Sequence, residues 1–256
     1  GDADVMIAGG TEASITPLTI AGFANMKALS QNNSNPQEAS RPFDNDRDGF
    51  VLGEGSGILI LESESHALKR GAEILAELAG YGSTDDAFHI TQPSPGGIGA
   101  LKAMERAIVD AKLNLDQIDY INAHGTSTIV GDATELNSLT ELYGDGAKAG
   151  SVGVGSIKSQ IGHLKAAAGA AGLLKATFAL HHRTLPPSAG FVNPNTSLDW
   201  SSIPFFVPTE ARDWPSPTGL FPPSSKVTCD KFSAEFLTIF FAVLVPPVNA
   251  ILFTFG

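Results

Sequence analysis

The chain has 256 residues, with 27 acidic against 16 basic side chains and a formal net charge of −11. That balance leaves no basic stripe for phosphate contacts and excludes nucleic acid as a general partner. A single cysteine, Cys229, excludes a disulfide framework and a cysteine-based zinc site within the chain.

Val5–Gly10 reads as a short buried strand running into a glycine turn. A chain seldom opens on a central strand, so the sequence reads as one entered mid-domain, with any targeting leader cut away or never present. Residues 20–29 are expected to form a helix with Ile20, Phe23, Ala24 and Met26 broadly inward, followed by a polar loop at 31–40. The Asp/Asn-rich run Arg41-Pro-Phe-Asp-Asn-Asp-Arg-Asp-Gly invites a calcium-loop reading. The glutamate and flanking helices of an EF-hand are missing, and a salt-bridged structural loop fits better. A strand at 56–62, a short helix at 64–70 and a strand at 74–81 come next. Asp85, Asp86 and His89 fall in a solvated loop without metal-ligand spacing.

Ile98, Leu101, Met104, Ile108 and Ala111 recur at helical spacing, which predicts an amphipathic helix over 97–112. The next strand, 119–123, ends at His124. After Gly125-Thr-Ser-Thr128 a helix carries Leu136, Leu139, Leu142 and Tyr143 inward, and Asp132 with Glu135 resembles a capping box. A strand at 152–156 leads through a turn holding Lys158 to His163, at the mouth of a long Ala-rich helix over 164–182 that is too apolar all round for a surface helix. A histidine at a buried helix N-terminus sits in positive potential, which disfavours its charged form. A neutral imidazole whose N–H meets a developing oxyanion is a known catalytic device. His181 and His182 close the helix where cations suit its dipole. A last strand is expected at 203–207. The alternation of strands and helices argues for a layered α/β fold.

Beyond Pro215 the texture changes. Residues 232–255 are almost wholly apolar, near the length of a membrane span, but Pro246-Pro247 and the lack of flanking basic residues argue against a spanning helix. The stretch reads as a tail foreign to the domain. No serine stands in a nucleophile elbow and no P-loop follows a strand. The residues alone lead as far as two strand-end histidines, His124 and His163, converging on an oxyanion site without a nucleophile, with Lys158 placed to fix a carboxylate or to orient a histidine through water.

The ordered runs Gly9-Gly-Thr-Glu, Arg41-Pro-Phe-Asp, Arg47-Asp-Gly-Phe with Gly53-Glu-Gly, Asn122-Ala-His-Gly-Thr-Ser-Thr and Lys158-Ser-Gln-Ile-Gly-His resemble the beta-ketoacyl synthases, most closely the elongating 3-oxoacyl-(acyl-carrier-protein) synthase II type. Gly162-His-Leu-Lys-Ala-Ala-Ala-Gly and Thr209-Glu-Ala-Arg-Asp-Trp214 lean toward polyketide ketosynthase domains. The likeness runs from Gly1 to about Trp214. It implies a thiolase-like layered α-β-α-β-α fold, here incomplete. Residues 1–84 would end the N-terminal half, 85–214 would form the C-terminal half, and 215–256 would be an atypical tail. It implies a decarboxylating Claisen condensation of malonyl-carrier protein with an enzyme-bound acyl chain, in fatty-acid or polyketide synthesis. Under that resemblance His124 and His163 are the oxyanion donors, Lys158 and Glu135 belong to their network, Thr126 and Thr128 touch the phosphopantetheine arm, and Phe23 lines the acyl pocket.

The resemblance further implies acyl carrier protein as partner, a homodimer, no cofactor beyond the carrier's phosphopantetheine, no metal, and a cytoplasmic, plastid or mitochondrial setting, with a membrane setting disfavoured. Lys69-Arg70 and Lys102 with Arg106 are candidate carrier contacts. Two departures stand against it. The family's nucleophilic cysteine belongs before the first strand of this chain, and Cys229 has no such context. The family's Gly-Phe-Gly-Gly-Thr-Asn loop is replaced by Gly219-Leu-Phe-Pro-Pro and the apolar tail, as a frameshift or retained intron would produce. The chain is therefore expected to be inactive in condensation by itself. The alternatives are a non-catalytic partner of the chain-length-factor kind or a pseudogene product. A degradative thiolase is disfavoured by the two histidine motifs, and a membrane-anchored variant rests on the tail alone.

Overall fold

The computed structural model describes residues 3–89 and 92–214, together with the backbone of Ile239–Val245 and Ala250–Thr254. Strand β1 (Val5–Glu12) pairs antiparallel with β2 (Gly55–Glu62), in register from Val5 opposite Glu62 to Glu12 opposite Gly55. Alternation sends the two faces of this ribbon to different surroundings. On one face a Cβ at Gly57 would touch Ala170 and Leu174 of the long helix. On the other Ile7, Ile58 and Ile60 are 72%, 56% and 60% exposed. The expected buried strand is thus one half of a ribbon covered on a single face.

Helix α1 (Pro17–Asn25) starts earlier than its periodicity suggests because Thr16 caps it, accepting the Thr19 N–H at 3.3 Å, and Pro17 takes the first turn. None of its residues is buried. Ile20, Ala24 and Met26, expected inward, are exposed, and Phe23 is the one that turns partly in. The acidic loop that follows is tied together by protein groups. Arg41 pairs with the fully buried Asp44 at 3.0 Å, and Asp44 Oδ2 accepts the Val192 and Asn193 N–H groups at 2.7 Å each. Helix α2 (Glu64–Lys69) closes this region. Beside it Glu62 accepts two bonds from Arg70 at 2.6 Å and contacts His66, and these partners hold its carboxyl at about 2.

Next come β3 (Glu77–Thr84), α3 (Ile98–Ala111), β4 (Ile118–Asn122), α4 (Ile129–Tyr143) and β5 (Val152–Gly155). The one-turn α5 (Lys158–Ile161), the long α6 (Ala168–His182) and the two-residue strands β6 (Thr184–Leu185), β7 (Phe205–Phe206) and β8 (Arg212–Asp213) follow. Strands β9 (Ile239–Val245) and β10 (Ala250–Thr254) end the described chain. The main sheet has the order β3-β9-β10-β4-β5-β7. β10, β4, β5 and β7 run parallel, and β9 is antiparallel to both neighbours. Residues 77–84, read from the sequence as the end of the first half, pair within this sheet.

β4 shows how the layers form. Ile121 joins Ala103, Met104 and Ala107 of α3 and Leu136 and Leu139 of α4 on one face. Tyr120, its neighbour, joins Ala176, Ala179 and Leu180 of α6 and Trp214 on the other. α3 lies so close to β3 that a Cβ at Gly82 would stand 2.0 Å from the Ala103 carbonyl oxygen, which only glycine avoids. With α6 lying against both the sheet and the inner face of the ribbon, the order is helices, sheet, helix, ribbon: an α/β layered fold. In the stretch beyond Trp214, read from the sequence as an atypical apolar tail, Ile239–Val245 and Ala250–Thr254 are strands of the main sheet, lying between β3 and β4. Among the described residues no helix is long and apolar enough to cross a membrane.

Candidate active site

Two strand-to-helix connections and the segment between α5 and α6 meet at the C-terminal ends of β4 and β5. β4 delivers His124, β5 leads through Ser156 to Lys158, and the segment after α5 brings in His163. The two imidazoles stand edge to face, with centroids 5.3 Å apart and planes at 84°. Each residue keeps part of its surface open. The structure therefore brings together the pair that the sequence placed far apart.

His124 is fixed by side chains. Its N–H and that of Gly125 donate to the two oxygens of Glu135 at 2.8 Å each. Its carbonyl accepts Lys158 Nζ at 2.6 Å and the Ser156 hydroxyl at 3.2 Å. Lys158 Nζ also lies 3.4 Å from His124 Nδ1. An ammonium can only donate, so Nδ1 is the bare nitrogen and the ring proton sits on Nε2. Lys158, expected to fix a carboxylate or to orient a histidine through water, thus contacts His124 directly. Glu135 is no capping residue either, and neither is Asp132. Asp132 is buried, accepts the Phe43 N–H at 2.8 Å and the Ser127 N–H at 3.1 Å, and faces Arg47 at 3.7 Å. Burial pushes its carboxyl up to about 7 against those hydrogen bonds. The helix they sit on begins after Thr128 without a side-chain cap.

His163 is held by main chain. Its N–H donates to Val51 O at 2.7 Å, its carbonyl accepts Gly53 N–H at 3.1 Å, and Nδ1 accepts Lys165 N–H at 3.0 Å, which again leaves the proton on Nε2. Its ring meets Phe50 edge-on at 5.4 Å, and Phe50 meets Phe23 at 5.3 Å. The expectation that His163 opens the long helix is corrected. A 3-10 turn, Lys165–Ala167, separates it from α6, because His163 bridges to Leu52 in the loop before β2. Its imidazole is nonetheless kept neutral, at about 2, by burial first and by the charges of Lys158 and Lys165 next. His124 is lowered well below its ordinary value by burial, then by Lys158, His163 and Lys165. Lys158 itself falls to about 8 through burial, opposed by Glu135 and Asp132.

Thr126 and Thr128 share a hydrogen bond at 2.9 Å between their hydroxyls, beside His124 in the same turn. Phe23 reaches the site through Phe50. Of the candidate carrier contacts, Arg70 is already engaged by Glu62, and Arg106 donates to Ser83 O at 2.6 Å. Among the described residues no cluster of histidine, cysteine and acidic groups has metal-binding geometry. Cys229 lies outside the described residues. Phe50, Ser156 and Lys165 were not picked out as site residues, although Phe50 ends the run Arg47-Asp-Gly-Phe and Lys165 stands two residues after His163.

Residues 1–67 match the family model for the beta-ketoacyl synthase N-terminal domain, and residues 75–192 the model for the C-terminal domain. The chain is 51% identical over 205 residues to the mitochondrial 3-oxoacyl-(acyl-carrier-protein) synthase of Arabidopsis thaliana, covering 80% of this chain and 44% of that protein. It is 50% identical to 3-oxoacyl-(acyl-carrier-protein) synthase 2 of Rhizobium meliloti (strain 1021), covering 80% and 48%. Chloroplastic forms from Arabidopsis thaliana are also among its relatives. The chain thus spans about half the length of these relatives. Among solved structures it resembles a type II polyketide ketosynthase in complex with its acyl-carrier protein and bound to the hexaketide, with a TM-score of 0.77, 36% identity and coverage of 84% and 52%. It also resembles the ketosynthase from module 6 of the bacillaene synthase of Bacillus subtilis 168, with a TM-score of 0.78, 30% identity and coverage of 85% and 38%.

Proposed function

Because the chain belongs to the beta-ketoacyl synthase family, we propose that it supplies the two-histidine half of the active site of a 3-oxoacyl-(acyl-carrier-protein) synthase. The reaction is the decarboxylating condensation of a malonyl thioester with an acyl chain. The observation that carries this reading is the wiring of the two imidazoles. Both are neutral, both accept a donor at Nδ1, and both therefore offer an Nε2–H.

Loss of carbon dioxide from a malonyl thioester leaves an enolate whose oxygen carries the developing charge. Two preorganised N–H donors in a partly dry site stabilise that oxygen more than they stabilise the starting carbonyl, which lowers the barrier. A charged imidazolium would cost desolvation at every turnover, and the depressed basicity of both rings avoids that cost. In this reading Lys158 and Glu135 are positioning residues for His124, Thr126 and Thr128 take the phosphopantetheine arm of the carrier, and Phe23 walls the acyl pocket. The partner is acyl carrier protein, the complete enzyme is a homodimer, and no cofactor of its own is needed. The setting is the cytoplasm, or a plastid or mitochondrion.

The chain-length-factor alternative keeps the fold without the chemistry. The wiring of both histidines favours the enzyme, since a partner that only shapes the pocket has no need of two prepared donors. The test uses malonyl-pantetheine and the chain as it stands. Decarboxylation takes up one proton and gives acetyl-pantetheine and carbon dioxide, and the expected result is release that drops at least a hundredfold in His163→Ala, the order seen when an oxyanion donor is removed. Equal release by chain, variant and buffer would reject the reading. Adding butanoyl-pantetheine is expected to give no 3-oxo product, because no cysteine stands beside the two histidines among the described residues to carry the acyl group.

A further inference from the structure

Beside the two histidines stands a cation that the reaction as derived above does not use. Lys165 Nζ lies 3.3 Å from the centroid of the Phe50 ring and 4.2 Å from that of Phe23. The two rings meet edge to face, so the ammonium fills the corner between them, and Phe50 in turn abuts His163. The stem is anchored at its root. Lys165 has φ +46°, in the left-handed region, its N–H is spent on His163 Nδ1, and the next N–H, of Ala166, donates to Glu12 Oε2 at 3.3 Å.

We propose that Lys165 is a specificity-determining residue that closes the acyl pocket at the Phe23–Phe50 corner, so that the site favours short acyl thioesters. This rests on the synthase reading and on Phe23 as a wall of that pocket. Two aromatic faces beside a reacting centre are a natural track for an alkyl chain, because each methylene laid on them leaves water. Here a cation already covers both faces. A chain long enough to reach the corner must lift the ammonium off two rings in a partly desolvated place, where such contacts are at their strongest. A short chain stops before the corner and meets none of this. Burial first, and the charge of Lys158 second, bring the Lys165 ammonium down to about 7, so affinities are compared at pH 6, where the cation is present.

Affinities of butanoyl-, hexanoyl- and decanoyl-pantetheine for the chain, measured by calorimetry, test the idea. In the wild type the gain per added methylene is expected to stop once the chain reaches the corner. In Lys165→Met, of similar length and without charge, the gain should continue, raising the decanoyl-to-butanoyl affinity ratio by roughly tenfold, the size of a desolvated cation–π contact. Lys165→Arg keeps the cation and should keep the wild-type ratio. Should methionine collapse the turn, as circular dichroism would reveal, Lys165→Gln gives the same comparison. Equal ratios in wild type and the uncharged variant would overturn the proposal while leaving the synthase reading in place. Failure of every thioester to bind any of the proteins would overturn the synthase reading beneath it.

Discussion

His124 and His163 face each other across the same site, yet opposite means hold them. Around His124 the work is done by side chains from three elements: Glu135 on α4, Ser156 after β5 and Lys158 on α5. Around His163 it is done by backbone, through the bridge to residues 51–53 and the Lys165 N–H. The first arrangement follows from a strand that simply ends, leaving N–H groups and a carbonyl that need partners from elsewhere. The second follows from a loop that borrows strand-like pairing from another part of the chain. Deleting a side chain should therefore hurt His124, and bending the main chain should hurt His163.

The largest effect is expected at Glu135. Replacing it by alanine orphans two N–H groups that now share one carboxylate, and bonds to a charged acceptor contribute about 1.5–3 kcal/mol each. We expect Glu135→Ala to lower stability by about 4 kcal/mol, or roughly 10 °C in melting temperature for a chain of this size. Glu135→Gln, which can accept only one of the two bonds, should fall between. Melting curves that move by less than about 2 °C would mean that the carboxylate is a bystander to the turn.

For His163 the matching lesion is in the backbone. Gly162 has φ +71°, and a Cβ there would stand 2.9 Å from Val51 O, the acceptor of the His163 N–H. Gly162→Ala adds left-handed strain to that crowding and should cost about 2–3 kcal/mol. The sharper readout is local. Ring signals of His163 in NMR should shift strongly while those of His124 move little, and the reverse is expected for Glu135→Gln. If both variants disturb both rings alike, the division into side-chain and main-chain support fails.

Two lysines with enclosed ammonium groups extend the comparison. Lys158 is spent on the His124 carbonyl, whereas the Nζ of the half-buried Lys175 on α6 has no hydrogen-bond partner among the described residues. Burial first, and the charge of Lys158 second, bring Lys175 down to about 8. A lysine whose folded value lies below its unfolded value of 10.5 penalises the fold as pH falls from 10.5 to 8, and the full penalty is present at pH 7. Lys175→Met should therefore stabilise the chain at pH 7 by about 2 kcal/mol, with the gain shrinking as pH rises above the folded value. Lys158→Met should gain much less, because it also strips a donor from His124. Chemical denaturation at pH 7 and pH 10 separates the two.

The elements whose sequence signal is periodic and whose partners are near were readable in advance. β4 and α3 came within a residue of their expected bounds, whereas α4 starts at Ile129, ahead of the cap that Asp132 suggested. The apolar positions Met104, Ile108, Leu136 and Leu139 face the core as their spacing requires. What escaped depends on contacts between distant residues. The pattern Asp132, Glu135 looks like a local cap because sequence spacing records only local geometry. The true partners of these carboxylates are the N–H groups of Phe43, Ser127, His124 and Gly125. His163 looked like a helix opener because nothing in a 3.6-residue period reports pairing with residues 51–53. The outward face of α1 and of the ribbon was hidden for a similar reason: apolar residues say that a face suits burial, not that this chain buries it. The apolar tail was ambiguous by length alone, since short apolar runs fit buried strands and helices equally. The convergence of the two histidines was legible on the His124 side because strand ends in a layered α/β fold open on one side, whereas His163 arrives one short helix past the end of β5.

The smallest effect concerns acid. His163 has a folded value of about 2, set mainly by burial, against 6.5 unfolded. The neutral ring therefore contributes stability that is fully present above 6.5 and is lost as pH falls below it, because the unfolded chain takes up the proton first. Between pH 7.5 and 5.5 this comes to about 1 kcal/mol from one histidine. His124 is lowered in the same direction. Asp132, raised to about 7, works the other way, favouring the fold as pH drops from 7 toward 3.8. The comparison of wild type with His163→Gln isolates the first contribution. The variant should lose about 1 kcal/mol less than wild type over that interval in denaturant titrations. What remains is the sum of His124 and Lys165, which weaken the fold as pH falls, and Asp132, which strengthens it. Parallel pH curves would mean that His163 takes up its proton in the folded chain, and a ring that does so at neutral pH has no lasting place beside two lysines as a neutral donor.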